Sequence, residues 1–486
     1  MIEKVTDKSI LSYCLVFIIA FIPSFIFIQG TPIQLWDESR LAINAYEMHQ
    51  NNNWLVTYFT DGVEMWNTKP PLLMWLQTIC LKIFGVNIFS IRLPIALAGM
   101  ATGLFMFTSL RKITGSRAFA VFSVLILFSS NGYVSNHILR TGDYDGLLVL
   151  FLTMAAIFYF QFLEQKSSKY LYFFAVSFSL ALLTKGIAGL MLAPSLFIYT
   201  LYKKSLLSTL KNPNLYLAII LIFAPVISYY LLRESANPGF IKRMYINEIG
   251  GRYLNVIEEH NHPFYFYIRN LIKDRFLFWI PCFIIGIFLL FKNAKRPQFK
   301  IGIFSIFMII PFFLIISSSK TKLTWYDAPV FPFLAIIAAI PLQYFYQYIS
   351  KQQKGTLKIT FSSLLILLIF ISFSINIVII GANAIKIKNE RYNSIPKFIL
   401  SELKHPTKNL DLTLVTYEYV PDAIFMIKAA NEKNILLEYK NIDELNGDEN
   451  IFSNSEKSIE ELKQRFGYID YFKKGNVYFI QLQKKQ

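Results

Sequence analysis

With 486 residues, 54% of them hydrophobic and 16% charged, and a mean hydropathy of +0.43, the chain is too apolar for an ordinary soluble enzyme and too varied for a low-complexity polymer. A net charge of +17 would suggest nucleic acid in a soluble protein, but here Lys and Arg sit mostly in short loops between apolar runs, so membrane orientation explains the charge and no nucleic-acid partner is expected. Cys14, Cys80 and Cys282 each stand inside an apolar stretch without zinc or redox spacing, which leaves them as small packing residues.

In chain order, Lys4 and Lys8 precede an apolar run at 10–28 that imitates a secretory signal. The run is long enough to span a bilayer, and Gln29-Gly30-Thr31-Pro32 offers no small-residue cleavage pattern, so it is expected to be retained. A loop at 29–89 follows, with two amphipathic stretches. In 38–51, Ala42, Ala45, Tyr46 and Met48 oppose Asn44, Glu47 and His49, whereas 71–84 is largely apolar through Leu72, Leu73, Trp75, Leu76 and Ile79. Both read as helices lying at the membrane interface, the second opened by Pro70-Pro71 where the first backbone donors are unpaired anyway.

A hydrocarbon core needs roughly 20 apolar residues of helix, and about eleven spans satisfy that. They fall at 10–28, 90–110, 118–136, 146–163, 170–184, 186–202, 215–232, 275–291, 300–317, 328–349 and 358–380. With the amino terminus in the cytoplasm, every second connection is basic: Arg111, Lys112 and Arg117; Lys166 and Lys169; Lys203, Lys204 and Lys211; Lys292, Lys295, Arg296 and Lys300; Lys351, Lys354 and Lys358. The alternate connections, 29–89, 137–145, the corner at 184–186, 233–274 and 318–327, hold most of the unusual polar residues. From about residue 385 the chain turns polar, with short alternating runs at 412–419, 435–439 and 477–482. The expected architecture is therefore a polytopic α-helical membrane domain at 1–384 with an amphipathic first external loop, followed by a small α/β domain at 385–486 on the same outer side. In a bacterium this is the periplasmic face of the inner membrane. No Gly-rich phosphate loop, zinc motif or internal repeat occurs.

Chemically competent residues collect on the outer connections. Trp36-Asp37-Glu38-Ser39-Arg40 follows the first span, and Asp37 reads either as a general base for a lipid-borne substrate or as the acidic start of a helix. Arg140-Thr141-Gly142-Asp143-Tyr144-Asp145 opens the fourth span on the same face, where Asp145 taken alone reads as a helix cap. Two acidic sites on one face can divide proton acceptance from hydroxyl binding. The basic set comprises Lys69, Lys185, Arg252, Lys320 and Lys322, all against the orientation rule. Such residues either snorkel at the interface or clamp an anionic phosphate, whose developing charge they would stabilise where water is excluded. Glu258, Glu259, His260 and His262 match no strong zinc pattern, so hydrogen-bonding or structural roles are preferred to a metal. The six tryptophans and Tyr326 suit a headgroup belt, on which a sugar could also stack.

These fragments resemble the class C membrane glycosyltransferases, especially the bacterial aminoarabinose lipid A transferases and the protein O-mannosyltransferases. The likeness runs through Asp37-Glu38-Ser39-Arg40, Lys69-Pro70-Pro71-Leu72-Leu73, Arg92-Leu93-Pro94, the turn ending at Asp145, Leu183-Thr184-Lys185-Gly186, the series Glu248, Arg252, His262, Pro263 and Tyr267, and Ser319-Lys320-Thr321-Lys322-Leu323 before Tyr326. The resemblance implies transfer of a sugar from a polyprenyl-phosphate donor to a lipid, protein or glycan acceptor, without a nucleotide cofactor and by a single inverting displacement. It makes Asp37 the base or acceptor-orienting carboxylate, Asp145 a second active-site acid, and Lys69 and Arg252 ligands of the carrier phosphate. Glu38, Arg40, Asp143, Lys185, His262, Lys320, Lys322 and Tyr326 are the further substrate-binding candidates. Thr68 stands where relatives often carry an acid, which removes a ligand from any metal site there. A transporter or flippase of lipid-linked sugars is the competing reading, although transporters place polar residues near the bilayer midplane and here the acids sit in surface loops.

Overall fold

A computed structural model describes residues 2–60, 62–251, 255–256, 259–292, 296–351, 371, 373–374, 377–385, 394–405 and 411–484. Arg252, Glu258 and most of the expected span at 358–380 lie outside the described residues. The chain divides into two compact units, one of Met1–Ile26, Glu64–Leu73 and Pro94–Ile380, the other of Phe27–Val63, Met74–Leu93 and Gly381–Gln486.

The first unit is helical. Among the described residues, five helices are long and apolar enough to cross a bilayer: Ile88–Thr114, Tyr144–Gln165, Pro213–Ala236, Pro297–Ser318 and Thr324–Tyr348. The pair Phe266–Arg275 and Leu277–Phe291, bent by 87°, makes a sixth if it is one span. Ser168–Lys185 and the shorter apolar helices Ile10–Phe25, Arg117–Phe128 and Ile187–Tyr202 take up the other expected spans that the described residues cover.

Arg117–Phe128 shows why apolar length overstates helix length. Ser116 caps it by accepting from the Phe119 amide at 3.2 Å. The helix ends at Phe128, short of the expected 118–136 span, and Ser129 and Ser130 donate back to the Leu125 and Ile126 carbonyls. The chain then turns against its neighbours. The Gly132 amide donates to the Arg275 carbonyl at 2.8 Å, and a Cβ at Gly132 would lie 2.0 Å from the Phe331 ring. Arg275 in turn grips the fully buried Asp327 through Nε and Nη2 at 2.9 and 2.6 Å, a fork geometry that suits burial of a charge pair. Around this lock Val124, Leu152, Phe160, Phe304, Phe331 and Ile337 share one core.

In the second unit, β1 (Tyr58–Phe59) and β2 (Gly62–Val63) form a small hairpin in the loop. The carboxy-terminal sheet contains β3 (Asp411–Leu414), β4 (Leu436–Tyr439), β5 (Asn450–Ser453), β6 (Gly467–Lys474) and β7 (Val477–Gln483), in the spatial order β4-β3-β5-β7-β6. β3 pairs in parallel with β4 and β5, and β7 pairs antiparallel with β5 and β6. The helix Asp37–Asn51 packs on the helix Pro421–Asn431, and its small face, Ala42 and Ala45, shares a core with Phe425, Met426 and Ala430. Lys428 closes the edge of that contact, 3.1 Å from Glu47 and over the Tyr46 ring. Thus the apolar side of 38–51, which the sequence assigns to the membrane interface, is covered by protein. Compactness also groups Phe27–Val63 and Met74–Leu93 with Gly381–Gln486, while Glu64–Leu73 of the loop belongs to the first unit.

Candidate active site

In the first unit, Lys69, Asp145, Lys185, Glu248 and Tyr326 line one cleft of about 690 Å³, a volume that includes the solvent at its mouth. Its polar residues come from separated elements, and each has a local reason for its place.

Lys185 is the last residue of Ser168–Lys185, and the corner after it depends on Gly186. Gly186 adopts φ +55°, and a Cβ there would sit 3.2 Å from the Tyr230 hydroxyl and 3.4 Å from Pro70. The Lys185 Nζ reaches both oxygens of Asp145 at 2.6 Å and lies 5.4 Å from the centre of the Tyr326 ring. Asp145, 3% exposed, sits in the first turn of Tyr144–Gln165, where the helix N-terminus adds to the stabilisation of its charge. Both oxygens of Asp145 are thereby engaged by one ammonium.

Gly146 holds that turn in place, since a Cβ would approach the Ile138 carbonyl oxygen to 2.3 Å. Gly146→Ala is therefore expected to cost about 1–3 kcal/mol of stability. A thermal unfolding midpoint equal to that of the parent would contradict the tight approach.

Lys69 is set by a turn that the sequence motif does not reveal. The Glu64 carboxylate accepts from the Trp66 and Asn67 amides at 2.7 and 3.1 Å, Arg233 donates to the Glu64 carbonyl at 3.1 Å, and Asn247 donates to the Trp66 carbonyl at 3.0 Å. The Tyr144 hydroxyl donates to the Asn67 side-chain oxygen at 3.0 Å, which ties this turn to the residue before Asp145. Lys69 then lies 3.4 Å from Glu248 and 5.5 Å from the centre of the Tyr144 ring, with about a tenth of its side chain exposed. Glu248 occurs in the motif series, but only the fold shows it as the partner of Lys69.

The loop 319–322 forms another wall. Lys322 is 5% exposed and donates from Nζ to the Ser319 carbonyl at 2.6 Å, while its amide donates to the His260 carbonyl at 3.0 Å. Burial, then the neighbouring Lys320, pull the Lys322 ammonium below its usual range, while Lys320 itself is exposed. Asn261 bridges to Thr321, and His262 stacks on Phe266 at 4.1 Å, its imidazole pulled down chiefly by burial and next by His260. Ser319 and Thr321 line the cleft, whereas Lys320, Lys322 and His262 do not appear among its lining residues. Asp143 pairs with His137 at 2.8 Å, and His137 stacks on Trp325 at 3.6 Å, so Asp143 anchors the 137–145 connection.

The remaining candidates belong to the second unit. Asp37 begins the helix Asp37–Asn51 and is partly exposed; the residue before it, Trp36, makes no side-chain cap. Glu38 is a different case. It is 1% exposed, and both its oxygens are taken by Arg92, at 2.6 Å from Nε and 2.8 Å from Nη2. Its Oε2 also accepts from the Gln34 amide at 2.7 Å. That pairing makes Glu38 a brace for the chain's entry into the helix. Arg40 rests over the Phe59 ring at 4.2 Å and bonds the Tyr419 hydroxyl at 3.1 Å.

Comparison with known proteins adds a family context. Residues 68–230 match the family model described as dolichyl-phosphate-mannose-protein mannosyltransferase. A protein of uncharacterised function from Aquifex aeolicus is 28% identical over 304 residues, which cover 62% of this chain and 58% of that protein. The undecaprenyl phosphate-alpha-4-amino-4-deoxy-L-arabinose arabinosyl transferase of Shewanella sediminis is 26% identical over 346 residues, covering 68% of this chain and 60% of that one. The chain thus spans about three-fifths of the length of these relatives. The crystal structure of ArnT from Cupriavidus metallidurans bound to undecaprenyl phosphate superposes with a TM-score of 0.71 over 98% of each chain at 16% identity, which establishes a common fold. Together with the apolar helices, that fold is one of a multi-pass membrane protein.

Proposed function

We propose, from the resemblance to class C membrane glycosyltransferases that motifs, relatives and fold share, that this chain transfers a sugar from a polyprenyl-phosphate carrier to an acceptor hydroxyl or phosphate. The single observation that carries the reading is the cleft in which Lys69 and Lys185 stand together, each beside its own carboxylate. Leu148, Met191, Phe312 and Ile316 line the same cleft, so an anionic head and an apolar tail can be met by one site.

In the proposed reaction the acceptor oxygen attacks the anomeric carbon from the face opposite the phosphate, and the bond between that carbon and the phosphate oxygen breaks. The anomeric centre is inverted. The bonding electrons stay on the carrier phosphate, whose growing charge Lys69 offsets, with Arg252 assigned to the same phosphate. Lys185 is held by Asp145 toward the cleft and contributes field there, while Tyr326 supplies an aromatic wall. The acceptor gives up its proton to a carboxylate base, the role that the resemblance gives Asp37. The step balances without a nucleotide or a metal. In this reading the chemistry lies at the periplasmic face of a bacterial inner membrane, which the basic alternate connections support, and the acceptor is a lipid, a protein or an envelope glycan.

The test uses the full chain in detergent with a polyprenyl-phosphate sugar and cell-envelope extract, followed by mass spectrometry. A glycosylated product is expected from the parent, and none above background from Asp37→Asn. A parent that moves donor across a vesicle but yields no product would favour the transporter, and full transfer by Asp37→Asn would remove Asp37 as the base.

A further inference from the structure

Trp36 occupies a conformation that ordinary packing does not explain. Its backbone stands at φ 77°, ψ −111°, a region that non-glycine residues adopt at a cost in strain, yet the residue remains 59% exposed. The backbone is pinned from inside the helix, because the Trp36 carbonyl accepts from the Ser39 hydroxyl and the Arg40 amide, each at 3.0 Å. The Cα–Cβ bond is thus fixed in direction while the residue stays exposed.

What lies beside it belongs to the same unit. The ring of Tyr419, a residue 39% exposed, sits 5.1 Å from the Trp36 ring and 6.4 Å from that of Phe59, with interplanar angles of 32° and 27°. The three rings form a row with Tyr419 in the middle. Arg40 lies on Phe59 at 4.2 Å and bonds the Tyr419 hydroxyl at 3.1 Å, which fixes a guanidinium edge along that row. The exposed Trp36 and Tyr419, bordered by fixed hydrogen-bonding groups, match a pyranose ring, which offers aliphatic C–H groups on one face and hydroxyls around its rim. A hydrocarbon tail would leave the Arg40 and Tyr419 edges without a counterpart.

We propose that Trp36, Tyr419, Phe59 and Arg40 form a saccharide platform that holds a sugar ring of the acceptor beside Asp37, the next residue in the chain. Its role as an acceptor site rests on the transfer reaction proposed above; its capacity to bind a sugar does not. The acceptor class it implies is a glycan or the sugar headgroup of a glycolipid.

The experiment titrates the full chain in nanodiscs with the β-linked disaccharide of N-acetylglucosamine, read by saturation-transfer NMR and tryptophan fluorescence. A saturable signal is expected, weakened about tenfold in Trp36→Ala and Tyr419→Ala and largely restored in Trp36→Phe, which reports on folding as well as stacking. No saturable signal in the parent, or an undiminished one in Trp36→Ala, overturns the platform. So does quenching of the Trp36 contribution by brominated lipid, which would put the indole in an interfacial belt. Displacement of the free disaccharide by a glycolipid bearing the same headgroup supports a lipid-borne acceptor, and retention supports a soluble glycan. Polyprenyl-phosphate binding, measured on the same proteins, separates the two proposals: it is expected unchanged in Trp36→Ala, and its loss in Lys69→Ala with disaccharide binding intact leaves the platform standing.

Discussion

Replacing Lys69 by alanine is expected to lower kcat/KM for the polyprenyl-phosphate donor by about 100-fold or more, roughly 3 kcal/mol of transition-state stabilisation. The size follows from where the ammonium sits. It is mostly covered, the cleft around it is largely apolar, and a charge that develops on phosphate in such a place is poorly screened. Two contacts hold the lysine in position, Glu248 at 3.4 Å and the Tyr144 ring at 5.5 Å, while Glu64, Arg233 and Asn247 shape the turn that delivers it. Stability should change much less than activity, because Glu248 retains some solvent contact after the lysine is removed. Steady-state kinetics at varied donor, beside a thermal unfolding midpoint, separates the two effects. Lys69→Arg keeps the charge and should recover part of the rate, although a planar fork in a site shaped for a point charge will not restore it fully.

The second large effect falls on folding. Arg92→Met should destabilise the second unit by about 3–5 kcal/mol, because it leaves Glu38 as a buried carboxylate without its partner. Arg92 is 2% exposed and places every N–H group on an acceptor: both Glu38 oxygens and the carbonyls of Ile28, Thr31 and Pro32, with the Thr31 hydroxyl as well. One guanidinium thereby ties the 28–32 segment to the start of the helix that begins at Asp37. Arg92→Lys should be nearly as damaging, since an ammonium cannot reproduce the fork. The paired change Glu38→Gln with Arg92→Met removes the stranded charge and should recover a substantial share of the loss. Unfolding midpoints for the single and double variants check this, and additive losses would contradict the pairing.

Much of the helical architecture was legible because long apolar runs, proline starts and outer polar clusters are local signals. Pro213–Ala236, for instance, begins with Pro213 after an Asn212 cap that accepts from the Asn214 amide at 3.1 Å, all readable in three consecutive residues. The end of Arg117–Phe128 was not legible, because the Phe331 ring that excludes a side chain at Gly132 and the Arg275 carbonyl that takes the Gly132 amide act through the fold. The candidate site divides in the same way. Lys69, Asp145 and Lys185 carry chemical types that suggest a site, and the cleft brings all three together. The sequence could not show that Asp145 is engaged by Lys185, that Lys69 faces Glu248, or that Glu38 is consumed by Arg92, since those partners are 40, 179 and 54 residues apart. Arg92 did carry one usable signal, an arginine at the head of an apolar run, where an uncompensated charge would be costly. The cover on the loop helix left a subtler one, the small pair Ala42 and Ala45, which suits close approach of another helix as well as it suits an interface.

The central claim is that the lysine cleft holds the phosphate of a polyprenyl carrier. Its most direct test is the binding of polyprenyl phosphate to the parent and to Lys69→Ala by native mass spectrometry in detergent, titrated at low and high salt. Saturable, salt-sensitive binding to the parent is expected, with at least about a tenfold loss in the variant. Equal affinity of the two proteins for the carrier would contradict it.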